Sequence, residues 1–298
     1  MNYHNPVLLK ESVDALDIKK DGVYVDVTFG GGGHSREILS RLGSNGRLFA
    51  FDQDPDAQKN RIDDDRFVLI AENFRYITRF LKFYKVRKVD GVLADLGVSS
   101  HQFDAAQRGF STRFDADLDM RMDQQSKLSA KDVVQRYSEE RLADILFLYG
   151  ELRSARALAK TIVAARLEEE IVTSFQLKEV LKRHLPKAKE HKILAQIYQA
   201  IRIEVNQELE VLKEFLSQIP DLLTPEGRLS VISYHSLEDR LVKRFIRTGL
   251  FSGEPDKDFY GNTNEPLKKV GKLIVPSAQE IKENNRARSA KLRIAILK

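Results

Sequence analysis

Apolar positions in the first hundred residues fall in short runs separated by helical stretches. "VYVDVTF" (23–29), "RLFAFD" (47–52), "RFVLIA" (66–71) and "VDGVLADLG" (89–97) read as strands. "HSREILSRL" (34–42) and "YITRFLKFY" (76–84) read as helices. Strands that alternate with helices predict an α/β fold, a parallel sheet with helices on both faces.

The rhythm then stops. No strand pattern is found from about Phe103 to Pro220. Leu142, Ile145, Leu146 and Tyr149 share one helical face, as do Leu158, Ile162, Val163 and Leu167. Ser138 and Ser174 are candidate caps, and a longer helix is expected over about Ile193 to Phe215. Strand patterning returns in "GRLSVISY" (227–234), "KLIVP" (272–276) and "AKLRIAIL" (290–297), with a helix "LEDRLVKRFI" (237–246). The expected organisation is one α/β domain built from residues 1–106 and 206–298, interrupted by an all-helical insertion over 107–205. A long excursion between consecutive strands suits a lid or substrate platform. The polar stretch "FSGEPDKDFYGNTNEP" (251–266) is expected to be a loop.

Composition narrows the choices. The 298 residues are 42% hydrophobic and 31% charged, enough to build a sizeable core. There is no cysteine, which removes disulfides, thiolate metal sites and cysteine nucleophiles. No apolar run approaches the ~18 residues of a membrane span, and the start of the chain has no long apolar stretch of a secretory signal. A cytoplasmic location is expected. The net charge of +5 permits a nucleic-acid partner without requiring one.

Candidate chemistry begins at "YVDVTFGGGGHSREIL" (24–39), where a strand runs into four glycines and then a helix. In an open parallel sheet, ligands bind at the carboxyl ends of strands. Ser35 stands where a dinucleotide fingerprint would have its third glycine. Asp52, 21 residues past Gly31 at the end of the second strand, is placed to accept bonds from ribose hydroxyls. Loop and acid together imply an adenosine ligand. The missing glycine leans from a nicotinamide cofactor towards S-adenosylmethionine, which has no pyrophosphate to cradle. Phe74 follows the third strand and is read either as an adenine contact or as core. Asp95, Ser99, Ser100, His101 and Gln102 follow the fourth, as a cluster beside the proposed cofactor.

Those stretches, with "HNPVLL", "FDQDPDA", "DLGVSSHQFD", "RGFS", "LDMRMD", "IRIEVNQEL", "ISYHSLEDRLVKRF" and "NNRARSAKLR", resemble the RsmH (MraW) family of S-adenosylmethionine-dependent ribosomal RNA methyltransferases. The resemblance runs from residue 4 to residue 293 and implies a Rossmann-like class I methyltransferase sheet with a helical insertion. It implies methylation of the N4 amine of a cytosine in the decoding centre of 16S rRNA, within the small ribosomal subunit. Carried over by motif, the cofactor site is Gly32, Gly33, His34, Asp52, Phe74, Asp95 and Gln102. Asn285 departs from the proline more usual before "RARS".

The N4 amine of cytosine is a poor nucleophile, so an acceptor holding one N–H would turn its lone pair to the methyl group and take the proton. Asp95 and His235 are the candidates. Ser236 with Asp239 also matches a helix cap, which would leave His235 a structural role. Many amino-methyltransferases carry an Asp/Asn-Pro-Pro-aromatic motif after strand four; "DLGV" stands here instead. No metal is expected, since His184 and His191 lie apart from any carboxylate cluster. Residues 182–192 and 267–298 carry local excesses of +4 and +7. Ser100, Arg108, Arg113, Arg121 and Arg288 are the candidate RNA contacts. The target must be single-stranded or flipped. Three alternatives stay open: a nicotinamide-dependent oxidoreductase, a methyltransferase of the same fold acting on another nucleic acid or protein, and a non-catalytic RNA-binding ribosome assembly factor. Oligomeric state is not legible, and a homodimer is compatible.

Overall fold

Seven strands form one sheet, in the order β3-β2-β1-β4-β5-β7-β6. They are β1 (Val23–Asp26), β2 (Arg47–Phe51), β3 (Phe67–Ile70), β4 (Val89–Asp95), β5 (Leu223–Ser233), β6 (Leu267–Ile274) and β7 (Lys291–Leu297). The structure is a computed structural model. It describes residues 6–256, 259–260 and 265–298, apart from the side chains of Ser100, His101 and Ala106. Part of the polar stretch expected as a loop, residues 257–258 and 261–264, lies outside the described residues.

Strands β1 to β5 pair in parallel. Their inner members read as unbroken apolar runs because helices cover both faces. β7 enters antiparallel to β5, and β6 pairs antiparallel with β7. The parallel pairing that the patterning predicts for the first hundred residues is present in β1 to β4, and the sheet becomes mixed only where β7 enters. Alternation of apolar residues reads the same in either direction, so the pattern carries no orientation.

The chain packs as two compact units, Met1–Gly97 with Leu209–Lys298, and Val98–Glu208. The first holds the sheet with α1 (Leu9–Asp14), α2 (Gly33–Arg41) and α3 (Ile77–Phe83). The second holds α4 (Ser100–Asp104), α5 (Ala130–Arg136), α6 (Glu139–Leu148), α7 (Ala155–Glu168), α8 (Ser174–Leu181) and α9 (Glu190–Asn206). The chain returns to the first unit through α10 (Glu208–Leu222), then adds α11 (Ser236–Thr248) and α12 (Ala278–Glu283). One core face is built by Val25, Phe49, Phe51 and Val92 with Phe215 and Phe245. The other carries Tyr24, Ile38 and Leu48. The helical unit has its own core, from Leu142, Leu146 and Leu158 to Ile197 and Ile201.

Three local expectations shift. The long helix over 193–215 is two helices, because Gln207 adopts a left-handed φ of 51° and ends α9. The Asn206 side chain beside it accepts the Met122 N–H and donates to the Met120 carbonyl, fixing the break. The cap of α8 is Thr173 rather than Ser174, in a reciprocal box with Gln176. Leu167, predicted to share a buried face, is 79% exposed at the end of α7.

The sheet and α2 are joined by one buried carboxylate. Asp26 ends β1 and is fully buried. It accepts the Thr28 N–H at 3.1 Å and the Ser35 hydroxyl at 2.7 Å. Thr28 Oγ1 in turn accepts the Asp95 N–H at 2.7 Å, tying β1 to the end of β4. Asp26→Ala leaves these donors buried without an acceptor and is expected to destabilise the protein by about 2–4 kcal/mol, read as a lower urea midpoint. A loss below about 0.5 kcal/mol would show that the carboxylate is not a structural link.

Candidate active site

The carboxyl ends of β1, β2 and β4 place Asp26, Asp52 and Asp95 together with the glycine turn. That turn is shaped by its neighbours. Gly32 has φ 76°, a left-handed value that favours glycine. A Cβ on Gly33 would lie 2.1 Å from the Pro6 ring, so its bareness has a packing cause. The turn is held from two sides: the Gly30 N–H donates to Asp52 Oδ2 at 2.7 Å, and the Gly30 carbonyl accepts from Asn60 Nδ2 at 3.0 Å.

Asp52 Oδ1 takes the Asp54 N–H at 2.8 Å. Each carboxylate oxygen therefore has one protein donor and one lone pair remaining. Burial raises the Asp52 carboxyl to about 6 against the pull of these two amides, and the charges of Asp54 and Asp26 push the same way. Next to it, Gln53 accepts from Asn73 Nδ2 at 2.7 Å, which links the ends of β2 and β3. Phe74 is half-buried against the core, its ring meeting Phe215 edge-on at 5.3 Å.

Asp95 Oδ1 accepts the Tyr234 hydroxyl at 2.7 Å, and Oδ2 lies 3.9 Å from His34 Nδ1. Burial raises Asp95 to about 6; His34, when protonated, and the Tyr234 bond oppose this, and Asp26 and Glu238 reinforce it. His34 is held by the Val7 carbonyl at 3.2 Å from Nε2, and burial lowers its pKa. The neutral ring carries its proton on Nε2, so Nδ1 presents a lone pair towards Asp95.

His235 is the N-cap of α11. Its Nδ1 accepts the Glu238 N–H while Glu238 reaches back to the His235 N–H. The cap thus sits one residue earlier than the Ser236–Asp239 pattern predicts. Asp239 instead takes a two-pronged bond from Arg293 of β7.

The remaining expected contacts divide by what their donors do. In the helical unit, Gln102 is buried and exchanges bonds with Ser99. Arg108 is buried and donates to the Arg121 and Met122 carbonyls. Arg121 grips Asp119 and the Ser126 carbonyl. These two guanidiniums hold their own loop, a use that spacing alone does not distinguish from phosphate binding. Arg113 is exposed, as is Arg288 in the short turn Asn285–Ser289 of the sheet unit. Asn285 opens that turn, capped by Asn284, at a position whose N–H needs no helical partner, so asparagine and proline both fit. The Ser100 side chain lies outside the described residues. His184, set aside as a metal ligand, meets Thr161 Oγ1 at 2.8 Å. Sequence reasoning missed Asp26, Asn60 and Tyr234. Only Tyr234 carried a visible signal, an aromatic hydroxyl at the carboxyl end of the fifth strand.

A mixed sheet in this strand order, with an antiparallel β7 and a glycine turn after β1, is the fold of class I methyltransferases, which use S-adenosylmethionine. The MraW methylase family model matches residues 1–297, and the chain belongs to that family. It is 68% identical over 295 residues to a protein of Christiangramia forsetii, covering 99% of this chain and 98% of that one. It is 67% identical over 295 residues to one of Flavobacterium johnsoniae, with the same coverage. It is 56% identical over 294 residues to one of Bacteroides fragilis, covering 98% and 97%. All three are ribosomal RNA small subunit methyltransferase H. Among the described residues no helix is long and apolar enough to cross a membrane.

The raised Asp95 has a consequence for stability. Its unfolded carboxyl titrates near the ordinary 3.8 and its folded one near 6, so between these values the folded state binds more protons and stability falls as pH rises. The side chain is 22% exposed, which holds the loss above pH 6 to about 1–2 kcal/mol. Asp95→Asn keeps the Tyr234 bond and gives His34 Nδ1 a donor. It is expected to raise the thermal midpoint of the ligand-free protein at pH 8 and leave it unchanged at pH 4. An equal shift at both pH values would refute a buried charge as the cause.

Proposed function

We propose that this chain transfers the methyl group of S-adenosylmethionine to the N4 amine of a cytosine in the decoding centre of 16S rRNA, within the small ribosomal subunit. The supporting observation is the group of three carboxylates at neighbouring strand ends, two of them raised towards 6, in a chain that matches small-subunit rRNA methyltransferases along its whole length. Acids raised by burial and by the charge of Asp26 suit a cationic ligand, because a positive charge beside them relieves both burial and repulsion. An RNA substrate of this kind places the protein in the cytoplasm.

S-adenosylmethionine supplies a methyl group already activated on a positively charged sulfur. Asp52, with one free lone pair on each oxygen, receives the two ribose hydroxyls, while the Gly30 and Asp54 amides keep its carboxylate from rotating. The turn at Gly32 and Gly33 exposes backbone to the amino-acid portion, His34 braces it, and Phe74 offers its ring to the adenine. Gln102 is assigned to the same ligand by its motif. Asp95 accepts an N–H of the cytosine amine through Oδ2, turning the nitrogen lone pair to the methyl group, and then holds the released proton. Tyr234 orients that carboxylate through Oδ1. His235 keeps the start of α11 in place, since taking a proton at Nδ1 would break its cap. Holding two reactants in line supplies ~7–11 kcal/mol of barrier reduction, so orientation carries most of the catalysis. Of the candidate cations, Arg113 and Arg288 have exposed guanidiniums and are assigned to RNA phosphates.

Tritiated methyl transfer to small subunits lacking the modification, with free 16S rRNA in parallel, tests the reading. Label is expected as N4-methylcytosine and is expected to vanish with Asp52→Ala. Cofactor binding without transfer to either substrate would overturn the rRNA assignment. Binding itself is expected to tighten as pH rises through about 6 and to release protons, read by calorimetry in buffers of different ionisation enthalpy. Binding that ignores pH between 5 and 8 would remove Asp52 and Asp95 from the cofactor site.

A further inference from the structure

A group of cations lies at the pole of the sheet opposite the carboxylates, where α3 turns into β4. Residues 78–88 read "TRFLKFYKVRK", with five Lys or Arg and no acid. That equals the net charge of the entire chain, +5. Arg79, Lys82, Lys85, Arg87 and Lys88 are all exposed. Lys88 donates to the Leu223 carbonyl. Among the described residues no ion pair holds Lys82, Lys85 or Arg87. Those three, with Thr78, Val86 and Leu222, line an open depression of 760 Å³. Phe83, next in sequence to Lys82, has its ring 77% exposed and edge-on to Tyr84 at 5.2 Å.

The backbone at the end of α3 fixes where Lys85 stands. Lys85 has φ 60°. Its N–H bonds the Lys82 carbonyl and the Val86 N–H bonds the Leu81 carbonyl, which closes α3 in a Schellman end. Glycine is the usual residue at that left-handed position. A lysine there sets a charged side chain at the rim of the depression.

We propose that this surface binds the phosphate backbone of the substrate RNA at a point remote from the methylated base. The inference rests on the reading of the protein as an RNA methyltransferase. The seven residues of β4 put the patch about 20 Å from Asp95, several nucleotides along a strand or across a helix from the target. Lysine and arginine meet phosphates as charges, and an exposed ring offers a face to an unpaired base. Val86 and Leu222 are the only aliphatic residues in the lining, too little for the apolar centre of a protein interface.

The test uses the full chain carrying Lys82→Gln, Lys85→Gln and Arg87→Gln, titrated with a decoding-centre fragment of 16S rRNA by fluorescence anisotropy over a range of KCl. Affinity is expected to fall about tenfold or more near physiological salt, and the slope of log K against log salt to become shallower by about 2–3. On small subunits KM rises while kcat holds, and S-adenosylmethionine affinity is unchanged by calorimetry. A second variant, Lys85→Gly, relieves the left-handed strain, so Tm is expected to rise while RNA affinity falls. A purely structural lysine would give the first effect without the second. Unchanged affinity and salt slope in the triple variant would overturn the proposal. If the unaltered protein binds the RNA through this patch yet methylates no rRNA, the assignment of substrate fails and the surface stands.

Discussion

Everything at the strand ends depends on Asp26, a carboxylate with no access to water. Burying a carboxylate is unfavourable by several kcal/mol unless its lone pairs are filled. Here Ser35 and Thr28 donate to both oxygens, and that requirement sets the geometry of three elements at once. Ser35 belongs to the first turn of α2, so the helix must start where its hydroxyl reaches β1. Thr28 must also receive the Asp95 amide, which fixes the end of β4 against the end of β1. Removing water from Asp26 also sharpens its field at Asp52 and Asp95. The acid that holds the fold therefore makes the neighbouring acids harder to ionise. The ligand-free site is less stable than an uncharged one would be, and the proposed cationic ligand would offset that loss.

The α/β rhythm was legible because central strands and amphipathic helices have different apolar periods; six strands fall largely on stretches that the patterning marks, while β6 begins at Leu267, five residues before the stretch 272–276 expected for it. What was not legible came from contacts between distant residues. The antiparallel entry of β7 is invisible to alternation. The break at Gln207 depends on Asn206 reaching residues 120 and 122, 84 and 86 positions away. The approach of Asp52 to the glycine turn could be read from its spacing to the glycines, since both lie within one β-α-β unit. Tyr234 could not be assigned, because its partner Asp95 is 139 residues away.

The arginines show the same division between local and distant information. Arg108 and Arg113 stand five residues apart and look equivalent in the sequence. In the structure, Arg108 is buried with its guanidinium on backbone carbonyls, while Arg113 is exposed. A guanidinium whose N–H groups already hold carbonyls must break those bonds before it can meet a phosphate. Counting cations along the chain therefore overstates an RNA surface, and the count that matters is of cations with donors to spare.

By that criterion the pole at α3 differs from the loop at Arg108. At the loop, charge serves to close the backbone on itself, and removing it would cost structure first. At the pole the relation is inverted, since Lys85 occupies a conformation that another residue would hold more comfortably. The left-handed turn there is set by the Schellman end of α3, and it leaves the Lys85 side chain exposed, with no ion pair among the described residues. A substrate much larger than the active site gives such a position a purpose. In the proposed reading, one end of the sheet would align a single base with the methyl donor, and the other would set where the rest of the RNA lies.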